Sequence, residues 1–230
     1  MMPVRSDATI EITAFAWVPP FARGFVRDLR VRWALEEICL PYRTRLIGGA
    51  GDTGLGPLRP ENYYLEQPFG QVPVYKESGL CLFESGAIVL HIGEKDARLL
   101  PREDPGRARA IAWMMAALNS IEPQTMMLAM LGFAFPNQGW TEPARQALAP
   151  MIGTRLARLS EALGCKDWLE DGFTVGDLVM IDTLRAIPDA ALVAAHANLA
   201  AYIERGMSRP AFQRAFAAQW ADFIPDRQDA

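Results

Sequence analysis

Residues 70–95 read GQVPVYKESGLCLFESGAIVLHIGEK, and this stretch decides the fold. Val72, Val74 and the apolar run Leu80 to Phe83 suit buried strands, with Lys76-Glu77-Ser78-Gly79 as the turn between them. Gly79 supplies the positive φ that a tight hairpin needs. A helix then opens at Glu84-Ser85, with Ile88, Val89 and Ile92 spaced as a buried stripe. Pro73 cannot donate to a strand ladder, so the backbone of Val72 is left free for another partner. Glu84 and Ser85 place a carboxylate and a hydroxyl at a helix N-terminus, where unpaired N–H groups attract a carboxylate ligand. Each feature also has a plain structural reading: an edge marker for Pro73 and a helix cap for Glu84-Ser85.

Working outward toward the N-terminus, Ile10 to Phe15 is expected as a first strand. Ala16-Trp17-Val18-Pro19-Pro20 then interrupts regular structure. The apolar spacing of Phe25, Val26, Leu29, Val31, Trp33 and Leu35 predicts a helix from about Ala22 to Ile38. Leu40-Pro41 ends it, and Tyr42 to Ile47 gives a second strand. Strand, helix, strand implies a parallel pair with a right-handed crossover. Gly48 to Gly56, GGAGDTGLG, is only superficially a phosphate loop, because no Lys-Ser/Thr comes after it. Asn62 to Glu66 is expected as a short helix. Together these elements form a thioredoxin-like domain over residues 1–96.

Residues 97–104 read as a turn-rich linker, with Asp104 as N-cap and Pro105 at the first position of the next helix. From 105 to 230 the pattern is helical throughout. Arg107 to about Leu131 is one long helix, with Pro123 as the cause of any break. Thr141 caps a helix to Leu163 that stops at Gly164, with Leu148, Met151, Ile152, Leu156, Leu159 and Leu163 facing inward. Phe173-Thr174-Val175-Gly176-Asp177-Leu178 combines a capping box (Thr174, Asp177) with a hydrophobic staple (Phe173, Leu178). Ser208 is expected to cap the last helix.

Composition narrows the function classes. The 230 residues are half hydrophobic and 22% charged, with a net charge of −4. No clustered basic face points to a nucleic-acid partner. Three scattered cysteines, Cys39, Cys81 and Cys165, argue against a disulfide framework and fit a reducing, cytoplasmic setting. His91 and His196 give no metal-ligand spacing. The N-terminus lacks the apolar core of a signal peptide. The apolar stretch Ile111 to Phe135 is broken by Asn119, Ser120, Glu122 and Pro123, so no membrane span is expected.

Gly-x-Val-Pro, a hairpin, then Glu-Ser-x-Ala-Ile closely resembles the glutathione-binding half of the glutathione S-transferases. Residues 30–42, RVRWALEEICLPY, are also similar to that family's first helix. The Thr174/Asp177 box resembles the capping motif of its C-terminal core helix, where Ala-Asp is the commoner pair. The resemblance implies a thioredoxin-like domain followed by a helical-bundle domain, and a cis peptide before Pro73. It also implies glutathione as co-substrate, held by Gln71, Val72, Pro73, Glu84 and Ser85. In the family, the residue before the proline pairs through its backbone with the cysteinyl part of glutathione, and the Glu-Ser pair holds the γ-glutamyl end. A homodimer and a role in detoxification of small hydrophobic electrophiles are carried over in the same way, without a metal.

The resemblance breaks at the catalytic group. The family holds the glutathione thiol as thiolate with a Tyr, Ser or Cys in the loop after the first strand. Here that loop, FAWVPPFARGFVR (15–27), contains none of them, and Pro19, Pro20 or Ala22 would occupy the place. A free thiol titrates near 8.5, so a substitute donor or charge is needed. The candidates are backbone N–H groups of a helix N-terminus near Ala22, the charge of Arg23, and the indole N–H of Trp17. Arg23, Arg27 and Arg30 could equally form a solvated helix face. Phe21, Trp113 and Met114 are candidates for the second-substrate pocket, within a Met-rich segment that suits either an adaptable wall or plain core. Three functions are compatible with these residues: conjugation of glutathione to an apolar electrophile; another glutathione-dependent reaction such as isomerisation, dehalogenation or thioether cleavage; or a non-catalytic binding protein.

Overall fold

A computed structural model describes residues 3–48 and 59–223. It divides into two compact units, Met1–Asp96 with Pro210–Ala230, and Ala97–Arg209. The first unit holds β1 (Ile10–Phe15), α1 (Asp28–Glu37), β2 (Tyr42–Ile47), β3 (Val74–Glu77), β4 (Leu80–Phe83) and α2 (Ser85–Gly93). The sheet runs β2-β1-β3-β4. β1 and β2 are parallel, while β3 is antiparallel to both of its neighbours. This is the thioredoxin-like arrangement expected from the sequence. The predicted short helix near Asn62 is a 3-10 turn at Glu61–Leu65.

β1 is central, and Ile10, Ile12 and Ala14 are buried along it. The hairpin turns on Ser78 and Gly79, with φ of 48° and 86°. Two successive positive φ values match the twist of the flanking strands. Ile88, Val89 and Ile92 of α2 are fully buried, as their spacing predicts. Leu80 and Phe83 are not: each is 38% exposed. β4 is the sheet edge with a single strand neighbour, so the apolar run there has less to bury against.

The helix expected from Ala22 starts later. Pro20–Ala22 is a 3-10 turn, Arg23 is extended (ψ 130°), and Gly24 has φ 82°. A Cβ on Gly24 would lie 2.7 Å from the Phe216 ring, so this position needs glycine on two counts. α1 then begins at Asp28 and packs against β1, α2 and α9 (Pro210–Ala221). That packing explains why residues from 210 onward belong with the first unit and not with the helical one. Arg30, on the expected solvated face, is buried. The glycine-rich loop lies outside the described residues from position 49 to 56.

The second unit comprises α3 (Gly106–Ala116), α4 (Glu122–Phe133), α5 (Thr141–Leu163), α6 (Val175–Arg185), α7 (Ala190–Ala194) and α8 (Ala197–Met207). Between α3 and α4 the chain forms a π-helical turn, Ala117–Ile121, and Pro123 stands at the start of α4. Proline lacks an N–H and crowds the carbonyl four residues back, so the ladder widens just before it. Three caps differ from expectation. Asp104 makes no cap bond, and Pro105 is the N-cap of α3. Trp140 precedes α5, while the Thr141 hydroxyl donates to the Phe135 carbonyl. Ser208 closes α8, where its hydroxyl donates to the Arg205 carbonyl. On α5, Ile152, Leu156, Leu159 and Leu163 face inward, but Met151 is 51% exposed.

The capping box of α6 forms as expected. The Thr174 N–H donates to Asp177 Oδ2 at 2.9 Å, and the Gly176 N–H donates to Thr174 Oγ1 at 3.2 Å. Asp177 Oδ1 also accepts from Leu169 N–H and from the Tyr202 hydroxyl, both at 2.8 Å. Asp177 therefore ties three segments together at the start of the most buried helix.

Candidate functional site

β3 pairs with β4 as far as Val74↔Phe83, the last residue of β4. Val72 and Pro73 directly precede β3, and Glu84 and Ser85 directly follow β4, so both pairs of expected binding residues extend from the same end of the hairpin. The Val72–Pro73 peptide is cis. The β1–β3 ladder stops at Ile12↔Tyr75. Beyond it, neither backbone group of Val72 pairs with the backbone of a described residue, as expected from the missing donor of Pro73.

Side chains take over where the ladder ends. The Val74 N–H donates to Thr13 Oγ1 at 2.7 Å. Thr13 Oγ1 and Tyr63 Oη are 2.9 Å apart, and the Tyr63 hydroxyl donates to the Gln71 carbonyl at 2.6 Å. Thr13 and Tyr63 are each 1% exposed. Burial, the largest influence, raises the Tyr63 phenol above its ordinary value and keeps it a donor at neutral pH; the Thr13 hydrogen bond opposes this. One residue earlier, Arg59 Nε donates to the Gly70 carbonyl. Val72 itself packs into an apolar cluster with Phe15, Val18, Ile47, Tyr63 and Val74.

At the other wall, Glu84 is the N-cap residue of α2, yet its side chain makes no capping bond. Its φ of 70° is unusual for a residue with a Cβ. The Glu84 side chain is exposed, whereas Ser85 and Gly86 are buried. The first N–H groups of α2 have no intrahelical partners, so this end favours an anion. Gln71 is exposed on the opposite wall.

The loop after β1 lies beside Val72, because Val18, Ala22 and Val26 share its apolar cluster. Trp17 is half-buried there, and Phe21 is 60% exposed. The expectation of free N–H groups near Ala22 needs correction. The Ala22 and Arg23 N–H groups donate to the carbonyls of Pro19 and Pro20 at 2.9 and 3.2 Å, inside the 3-10 turn. The first turn of α1 instead carries Asp28, whose own carboxylate is buried against Arg32 at 2.8 Å. Arg23 sets its guanidinium over the Phe223 ring, 6.0 Å from the centroid.

The remaining pocket candidates lie in the second unit. Trp113 is half-buried, and its indole N–H donates to Glu170 Oε1 at 3.2 Å. It lines a groove with Ser120, Ile121, Thr154, Leu159 and Met180. Met114 is fully buried, on the helix that packs against α6, so core packing accounts for it. Among the described residues no group of His, Cys, Asp and Glu is placed to hold a metal ion, and no helix is long and apolar enough to cross a membrane.

Sequence reading missed Thr13 and Tyr63. The one available signal was a lone hydroxyl inside the apolar strand IEITAF, where a polar side chain must find a partner once buried. The identity of that partner, 50 residues away, has no local signature.

Residues 21–94 match the family model described as glutathione S-transferase, N-terminal domain. Glutathione S-transferase 1 of Zea mays is 29% identical over 197 residues, covering 80% of this chain and 88% of that protein. Elongation factor 1-gamma of Equus caballus is 26% identical over 129 residues, 55% of this chain and 28% of its own length. Among solved structures, a glutathione transferase family member from Pseudomonas fluorescens Pf-5, crystallised with two glutathione bound, superimposes with a TM-score of 0.78. It is 19% identical, with 93% of this chain and 95% of that chain covered. Glutathione transferase F7 from Populus trichocarpa gives 0.75 at 21% identity over 92% and 99% of the two chains.

Proposed function

Because the chain belongs to the glutathione S-transferase family, we propose that it binds glutathione along the Val72 main chain and activates its thiol for attack on a small apolar electrophile. The observation that carries this reading is the unpaired backbone of Val72 just before β3, at the end of the hairpin from which β4 runs into α2 at Ser85. An extended peptide can add to Val72 as a short strand, using main-chain hydrogen bonds for affinity. Its γ-glutamyl carboxylate would then meet the Ser85 hydroxyl and the first N–H groups of α2, where the dipole favours negative charge. Glu84 is left to face the α-ammonium group, and Gln71 and Pro73 complete the walls.

Thiol activation falls to Arg23 and Trp17, both in the loop that packs beside Val72. Lowering a thiol from about 8.5 to near 7 needs about 2 kcal/mol of preferential thiolate stabilisation. A guanidinium and an indole N–H facing the sulfur can supply that in a partly dry site. Phe21, exposed on the loop after β1, is the pocket residue for the electrophile. A homodimer in the cytoplasm, acting in detoxification, fits this reading.

The test is calorimetric titration with millimolar glutathione, followed by a conjugation assay with a generic aromatic electrophile. Heat in the native chain, lost in Ser85→Ala, supports the site, and no heat in the native chain refutes it. A second reading draws on the absent Tyr, Ser or Cys between 15 and 27 and on the similarity to elongation factor 1-gamma. In that reading glutathione is bound without conjugation, or used in isomerisation, dehalogenation or thioether cleavage. Binding without any conjugation rate would favour it.

A further inference from the structure

We propose that Thr13 and Tyr63 are positioning residues, whose hydroxyls hold the two ends of the segment from Gln71 to Val74 so that the unpaired Val72 main chain is fixed for its ligand. This rests on the glutathione reading of Val72 and assigns a role to two residues that do not themselves touch the ligand.

The proton order in the chain of hydroxyls is forced. Tyr63 has one proton, and it goes to the Gln71 carbonyl. The 2.9 Å contact is therefore Thr13 donating to Tyr63 Oη. Thr13 Oγ1 in turn accepts from the Val74 N–H. The bonds run in one direction, from the amide of Val74 to the carbonyl of Gln71, and bridge the Val72–Pro73 peptide from behind. In an unbroken sheet this task belongs to the strand ladder, but Pro73 has no N–H to continue it. Both hydroxyls are buried, so water does not compete for them, and each bond polarises the next. Both backbone groups of Val72 are among those that the hydroxyls leave unused, and neither pairs with the backbone of a described residue. A phenylalanine at 63 would fill the same core volume, so packing alone does not require the hydroxyl.

The experiment titrates reduced glutathione into the full chain and five variants, with a thermal midpoint recorded for each. Tyr63→Phe and Thr13→Val are each expected to weaken binding about tenfold, the equivalent of one lost hydrogen bond of about 1.4 kcal/mol. Because either change breaks the same chain, the double variant should also weaken binding about tenfold, not a hundredfold. Thr13→Ser keeps the hydroxyl and should bind as the native chain does. As a control for general loosening, Tyr202→Phe removes an equally buried hydroxyl in the other unit. It should lower the midpoint and leave the affinity unchanged. Native-like affinity in Tyr63→Phe, or an equal loss in Tyr202→Phe, overturns the positioning role while leaving the glutathione site standing. An absence of heat in the native chain overturns the glutathione reading, and the positioning role with it. Tyr63→Phe preserves the ring, so it carries the test even if Thr13→Val does not fold.

Discussion

Gln219 Nε2 donates to Asp28 Oδ1 at 2.7 Å, joining the last helix to the first across 191 positions of sequence. The same nitrogen donates to the Val26 carbonyl at 3.1 Å. Asp28 Oδ2 accepts from Arg32 Nε at 2.8 Å, and the Arg32 guanidinium reaches Asp222 at 2.6 Å. Asp28 and Arg32 are essentially without solvent contact. A buried guanidinium is tolerated only while its carboxylate partners remain.

The first prediction comes from that arrangement. Asp28→Ala should destabilise the chain by about 3–5 kcal/mol, because Arg32 is left buried without its fully buried counter-charge. Gln219→Ala should cost about 1–3 kcal/mol, the penalty of unpaired buried acceptors. Urea unfolding at neutral pH checks both. Equal losses in the two variants would mean that the buried charge is not the dominant element.

Glu84 offers a case in which stability and binding should move in opposite directions. Its φ of 70° is costly for a residue with a Cβ, and its side chain makes no capping bond. Glu84→Gly is expected to raise stability by about 1 kcal/mol through relief of that strain. The same variant should bind glutathione more weakly, because the proposed binding mode sets the Glu84 carboxylate against the ammonium group of the ligand. A gain in both quantities would remove Glu84 from the site.

The cap of α6 predicts a graded loss. Thr174→Ala should cost about 1–2 kcal/mol. Asp177→Ala should cost more, on the order of 3–5 kcal/mol, since it strands the N–H groups of Leu169 and Thr174 and the Tyr202 hydroxyl together. Denaturant midpoints order the two variants, and a reversed order would show that the threonine, not the aspartate, organises this corner.

Acid sensitivity has a defined sign at Glu66. Burial alone would raise its carboxyl, but Lys76 at 2.8 Å and Arg45 outweigh burial and hold it below its ordinary value. Its folded-state pKa is thus lower than its unfolded one. The stabilisation is complete above the ordinary carboxylate value of about 4.3 and is lost as the pH falls through the lowered folded value. Both partners are partly exposed, so the contribution stays under about 1 kcal/mol. Glu66→Gln should flatten this part of the acid limb of a stability–pH curve; an unchanged slope would place the acid sensitivity elsewhere.

Much of both units was legible because their signals are local. The strand limits of β1 and β2, the glycine turn at 79, the stripe of α2 and the capping box of α6 depend on neighbours within a few residues. The start of α1 was misplaced for the opposite reason. Phe25 and Val26 continue an apolar helical pattern, yet Gly24 is held in a left-handed conformation against Phe216, a residue of the last helix. The exposure of Leu80 and Phe83 likewise depends on β4 having one neighbour, which the strand's own composition does not encode.

The sequence by itself determined the thioredoxin-like order of elements, the missing donor at Pro73 and the absence of a hydroxyl or thiol between 15 and 27. These depend on residue type and short spacing, which act through backbone geometry alone. Only the tertiary structure decided that Thr13 and Tyr63 close over the Val72 segment, that Ala22 and Arg23 have spent their N–H groups, and that the last helix returns to α1. Those outcomes depend on which buried polar groups find one another after the chain has collapsed, and partners 50 or 191 residues apart leave no mark on the sequence around either of them.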